Sequence, residues 1–300
     1  MVNNGWEYPF NTNFNPELNY SKLKRIEAKL KTERNYMLLS DYSICLMKLG
    51  KPKEALALLC EIYKHYPNDY KIAANIGTAY ELNNMPDSAL KYIKRDIELN
   101  PKDHFSSEWV HVKVLETELA LRKDPNYLYK HTVLELSEKQ KNDSAIFYQV
   151  FYQVDERFPF SPSPNEIMAS LFMDLADMMA NLKSIEYARA YYHISKDYFG
   201  NQSPETPRKI KQMDSLIKNY WSVEPKEFIP GEPRDNHKVQ GVNYKKLLGD
   251  NNQEHYIVNW SKINTNVATL ISMVDFSISP DKIKRQDEKD KDIHLVHETY

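Results

Sequence analysis

Apolar positions along residues 36–101 recur three and four apart, and then the whole pattern recurs. In the first half Leu39, Tyr42 and Leu46 make one stripe, and Leu56, Leu59 and Tyr63 make another. Such spacing puts side chains on one face of a helix. Shifted by 34 residues, Leu39 falls on Ala73, Tyr42 on Ile76, Leu46 on Tyr80, Ala55 on Ala89, Leu59 on Ile93 and Pro67 on Pro101. The breaks repeat as well. Gly50-Lys51-Pro52 and Asn83-Asn84-Met85-Pro86 each separate two helices, with proline suited to the first helical position of the second. Each half therefore reads as two antiparallel helices joined by a tight turn. Ala55, Gly77 and Ala89 are small where two backbones approach closely. One helix pair cannot bury its own apolar face, so such pairs stack on neighbours.

The pattern extends in both directions. Upstream, Asn15 as N-cap and Pro16 open a helix whose stripe is Leu23, Ile26 and Leu30. Downstream, Phe105, Trp109, Val112 and Leu115 predict a helix over 104–121. Asp124-Pro125 opens a partner helix through Leu128, Val133, Leu134 and Leu136 to Gln140, and a third helix follows over 143–157. Pro159, Pro162 and Pro164 break the chain, and Ser163-Pro164-Asn165-Glu166 reads as a capping box. Leu175, Ala176, Met179, Ala188 and Tyr192 then restore the repeat pattern, and Ser203-Pro204 opens a closing helix with Ile210, Met213, Ile217 and Tyr220. Beyond Trp221 the prolines predict an extended linker. A short strand is expected at 256–260, a helix through Val267, Leu270, Ile271 and Val274, and a solvated charged run over 281–292. Residues 1–15, with Trp6, Tyr8, Phe10 and Phe14, read as an extended aromatic arm that covers the open end of the first helix or docks on a partner.

A 34-residue period with small residues, apolar residues and a closing proline at set offsets resembles the tetratricopeptide repeat (TPR). Gly77, Tyr80, Ala89 and Glu98-Leu99-Asn100-Pro101 stand where that repeat has glycine, tyrosine, alanine and the terminal proline. Ser43 in place of the glycine of the first copy, and Asp96 at a position usually alanine, depart from it. The resemblance implies an all-α fold: a right-handed α-α superhelix, a TPR-like solenoid, over residues 16–220. Its clear repeats are 36–69 and 70–103, its weaker repeat is 169–202, and a less regular C-terminal region covers 221–300.

The resemblance also implies that the first helix of each pair lines a concave groove holding an extended or helical segment of another protein. On that reading the groove residues are Ser40, Ile44, Met47, Lys71, Asn75, Thr78, Glu108, Trp109, Asp174 and Asp177, with Met37, Glu81, Val112 and Met173 beside them. Chaperone-tail adaptors of this family clamp a carboxylate with cationic and amide donors. At the matching offsets this chain has Ser40, Ile44, Asn75, Phe105 and Trp109, of which only Asn75 fits, so no such clamp is expected.

Composition narrows the function classes. With 7 glycines in 300 residues there is no glycine-rich phosphate loop, and no Gly-x-Gly-x-x-Gly, His-Glu-x-x-His or Cys-x-x-Cys occurs. A net charge of −2 gives no electrostatic ground for nucleic acid or an anionic membrane. No apolar run of membrane-spanning length is present, so no membrane span is expected. No signal peptide is visible either, so the reading is cytoplasmic by default, and exported or periplasmic if Met1 is not the natural start. Cys45 and Cys60 lie on opposite helices of one hairpin, at heights differing by roughly 9 Å. They read as buried small apolar residues with no disulfide or metal role.

Three polar pairs remain as candidate chemistry. Glu108 and His111 stand three apart, His131 and Glu135 one turn apart on a surface helix, and Asp174 and Asp177 three apart. Each also fits a solvated or salt-bridged helix face. The expected function is a non-catalytic protein–protein interaction module of a bacterial assembly, with no catalytic residue, metal or cofactor. The alternative is a structural protein that self-associates through 221–300 or the N-terminal arm with an empty groove. A third reading is a metal-assisted hydrolase built on Glu108 and His111, although the helical-bundle sites that use such a pair need a second copy.

Overall fold

The computed structural model describes residues 16–222, 244–248, 263 and 265–283. The N-terminal arm, most of the linker, the strand expected at 256–260 and the charged run after 283 lie outside the described residues. Among the described residues all regular structure is helical, and helices adjacent in sequence pack on one another within each of two compact units. The described part of the first unit is 16–100 with 263 and 265–283; that of the second is 101–222 with 244–248. No helix among the described residues is long and apolar enough to cross a membrane.

The first unit contains α1 (Pro16–Glu33), α2 (Tyr36–Lys48), α3 (Pro52–His65), α4 (Tyr70–Leu82), α5 (Pro86–Leu99) and, late in the chain, a short helix (Val267–Ser272) labelled α13 below. The 34-residue duplication reappears bond for bond. Asn35 caps α2 by accepting from the Met37 amide at 2.8 Å, and Asp69 caps α4 by accepting from the Lys71 amide at 3.1 Å. After α2 the chain turns through Gly50 at φ 71°, and after α4 through Asn84 at φ 61°. These left-handed positions suit glycine and asparagine. The Lys51 amide bonds Leu46 O at 2.8 Å, and its counterpart Met85 bonds Tyr80 O at 3.0 Å.

The small residues do what their size implies. Ala55 and Ala89 are fully buried, and a Cβ on Gly77 would lie 2.7 Å from Ile93 Cγ1, and nearer still to its Cδ1. Ser43, standing where the repeat has glycine, is buried and returns its hydroxyl to Leu39 O at 2.9 Å, so no polar atom is stranded. Cys45 is buried, whereas Cys60 is only half-buried, with its Sγ 3.8 Å from the Tyr80 hydroxyl. Both thiols are free.

The C-terminal region is not merely irregular. The helix expected around Val267–Val274 forms as α13, capped by Asn266, and its segment docks on this unit. The Asp275 amide donates to Arg34 O at 2.9 Å, and Tyr66 donates to Phe276 O and Ile278 O at 3.0 and 3.1 Å. Phe276 stacks on His65 at 4.2 Å, and Leu270, Val274 and Ile283 are buried.

The second unit contains α6 (Glu108–Lys123), α7 (Glu138–Lys141), α8 (Ser144–Arg157), α9 (Glu166–Leu182), α10 (Ile185–His193), α11 (Glu205–Ser222) and α12 (Tyr244–Leu247). Its core joins Val110 and Val114 of α6, Phe147, Val150 and Val154 of α8, and the apolar faces of α9 and α10.

Four expectations need correction here. The helix expected from 104 starts only at Glu108, because His104, Phe105 and Ser106 adopt left-handed φ of 45°, 58° and 61° and turn Phe105 outward, where it is 77% exposed. The partner helix expected over 124–140 does not form. A short 3-10 turn (Tyr127–Tyr129) is followed by a non-helical stretch with Glu135 at φ 49°, and only α7 is helical. Leu128, Val133, Leu134 and Leu136 are spaced five, one and two, which no single helical face satisfies. The surface helix assigned to His131 and Glu135 is therefore absent, though the two still bond at 2.8 Å. Finally, α9 is capped by Asn165, which accepts from the Met168 amide at 2.9 Å. Ser163 instead donates to Tyr198 O, and Ser163–Pro164 is cis.

Candidate functional site

Each predicted groove residue has a definite place. In the first unit, the Asn75 amide of α4 donates to Ser40 Oγ of α2 at 3.0 Å, so two of them are tied together across adjacent repeats. Ser40 and Met47 are buried, Ile44, Asn75 and Thr78 are half-buried, and Lys71 is exposed. Thr78 returns its hydroxyl to Ala74 O. This face is built more from packed and self-satisfied groups than from free polar ones. Lys71 and the rims of Ile44, Asn75 and Thr78 are what it offers to a ligand.

In the second unit the predicted residues fall into two clusters. Glu108 is buried at the start of α6, with one carboxylate oxygen for each of two histidines: His104 Nδ1 at 2.6 Å from Oε1 and His111 Nδ1 at 3.3 Å from Oε2. Gln153 of α8 donates to Oε1 at 3.3 Å and to Ser107 Oγ at 3.0 Å. Burial pushes the Glu108 carboxyl up, but the hydrogen bonds and charges of the two histidines outweigh it and hold the group well below the usual carboxylate range. Each imidazole Nδ1 faces a carboxylate oxygen directly, so the cluster reads as a compensated buried anion. Trp109 is half-buried and spends its indole N–H on Gln149 at 2.7 Å.

The second cluster is the more chemically loaded. Asp177 of α9 accepts from Lys141 of α7 at 2.9 Å, from Lys209 of α11 at 2.8 Å and from Tyr192 of α10. One carboxylate thus ties together four helices. Burial raises its pKa, but the three donors win and hold it below its ordinary value; the same pairing raises Lys141 against its own burial. One turn earlier on α9, Asp174 is only 3% exposed. It accepts a bond from the Leu134 backbone, and its Oδ2 has no hydrogen-bond partner. Burial lifts its pKa to about 7, opposed by Lys141 and aided by the Asp177 charge. A carboxyl poised near neutrality is suited to proton exchange, but Asp174 lies beneath the 130–137 stretch and presents almost nothing to solvent.

Sequence reasoning picked Asp174 and Asp177 by their position on α9. It missed Lys141, Lys209, Tyr192, His104 and Gln153, whose roles come from contacts between helices. Lys141 carried a usable signal, since Ser137 with Gln140 forms a capping box that starts α7 just before it. No family model, curated protein or solved structure matches this chain.

Proposed function

We propose that the chain is a non-catalytic protein–protein interaction module of TPR type, a helical solenoid whose first-helix faces hold a segment of another protein. The observation that carries this reading is the duplicated unit over 36–101, in which caps, turns and the closing hydrogen bonds of each hairpin recur at the 34-residue offset. Repeats of this kind present successive first helices side by side, and the Ser40–Asn75 bond joins two such helices. Lys71, with the rims of Ile44, Asn75 and Thr78, is among the surface this face offers.

The test uses full-length protein as bait, with a Lys71→Glu/Thr78→Arg variant beside it. A partner retained by the wild type and lost by the variant, at unchanged melting temperature, supports the reading. A partner held equally by both places binding elsewhere and removes the groove assignment.

A further inference from the structure

The face of α9 expected to belong to the groove is already covered by this chain. The Val133 amide donates to Ser170 Oγ at 3.1 Å, the Leu134 amide bonds the Asp174 carboxyl, and Lys141 Nζ reaches Asp177 at 2.9 Å. Ser170, Asp174 and Asp177 are spaced four and three along α9, so they form one ridge. The covering stretch is not helical until Glu138, and Val133, Leu134 and Leu136 bury their side chains. Its Val133 and Leu134 amides bond to side chains of α9, whereas those of Lys130 and His131 close the preceding turn on Tyr127 O. Main-chain donors meeting side-chain acceptors, apolar residues filling the contact and a terminal basic anchor are how an extended peptide binds a helical surface. The fit leaves one acceptor over, because Asp174 Oδ2 has no hydrogen-bond partner.

We propose that residues 130–141 are an exchangeable internal ligand of the α9 ridge. The external ligand of this unit is then an extended peptide of the same design: two adjacent apolar residues whose amides donate to Ser170 and Asp174, a third apolar residue two positions on, and a lysine or arginine for Asp177. A peptide that adds a side-chain donor for Asp174 Oδ2 makes a bond that the internal segment does not, and so competes with it. This inference rests on the groove reading above, but it concerns a different unit from Lys71 and Thr78, so either can fail alone.

The test has two arms on the full chain. Hydrogen exchange on the wild type compares the Val133 and Leu134 amides with those of α9. At least hundredfold faster exchange in the segment is expected; protection equal to that of α9, lost only on global unfolding, overturns the proposal. The second arm titrates a labelled synthetic peptide of residues 129–143 onto two variants. Leu134→Asp releases the segment, and Val133→Cys/Ser170→Cys locks it by a disulfide. At least tenfold tighter binding to the released form is expected. A folded Leu134→Asp protein that binds the peptide no better than the locked one also overturns it. If Leu134→Asp does not fold, the exchange comparison decides.

Discussion

Two buried carboxylic acids in the second unit have opposite effects on stability, and the difference lies in their neighbours. Glu108 has two histidines and a glutamine; Asp174 has one backbone amide and an oxygen left bare. The folded state depresses the Glu108 pKa, so its contribution is present above the unfolded value and is lost as pH falls through the folded one. The folded state raises that of Asp174 well above the usual carboxylate range, to about 7. Its stabilising effect is therefore full only below the unfolded value, and is lost as pH climbs through 7. Urea unfolding at pH 5 and pH 8 checks the sign for Asp174, and at pH 5 and pH 3 the sign for Glu108. Asp174→Asn, which mimics the protonated acid, raises stability at pH 8 by on the order of 4 kcal/mol and by less at pH 5. Glu108→Gln lowers stability by about 3 kcal/mol at pH 5 and pH 8, since it strips the anion from the buried His111 and the half-exposed His104.

At the scale of elements, α2 to α5 were legible because stripe and breaker agree: apolar residues at three and four, and turns that end in Pro52 and Pro86; the caps Asn35 and Asp69 emerged only from the structure. The close approach of α4 and α5 was legible too, from Gly77 and Ala89. Gly77→Val drives a branched side chain into Ile93 and costs about 1–3 kcal/mol, read as an earlier thermal transition of the first unit. Where sequence reasoning went astray, burial came from another element rather than from helical periodicity. Val133, Leu134 and Leu136 look like a helix face in need of a helix, yet they are buried because an irregular strand of chain lies along α9. Half of the candidate site was hidden for the same reason. Lys141 and Lys209 stand 36 and 32 residues from Asp177, and nothing local marks either as its partner.

For the whole molecule, the consequential element is α13, which no repeat pattern foretells. It belongs to the first unit although α6 to α12 intervene in sequence. Leu270→Asp in the full chain places a charge in its contact with α3 and undocks the segment. The expected result is a first-unit transition lower by roughly 10 °C, faster proteolysis within 265–283, and unchanged exchange in α9 and α10. A second-unit shift of equal size would mean that α13 supports more than its own neighbours.

The docking of α13 also fixes an order of events at the ribosome. The last residue of α5 is synthesised about 170 residues before Val267, an interval of roughly 8–35 s at ordinary elongation rates. During that interval Tyr66 and Arg34 lack their late partners and the apolar seat of Leu270 stands open to solvent or to chaperones. The nascent first unit must therefore persist half-sealed until residues 265–283 are translated.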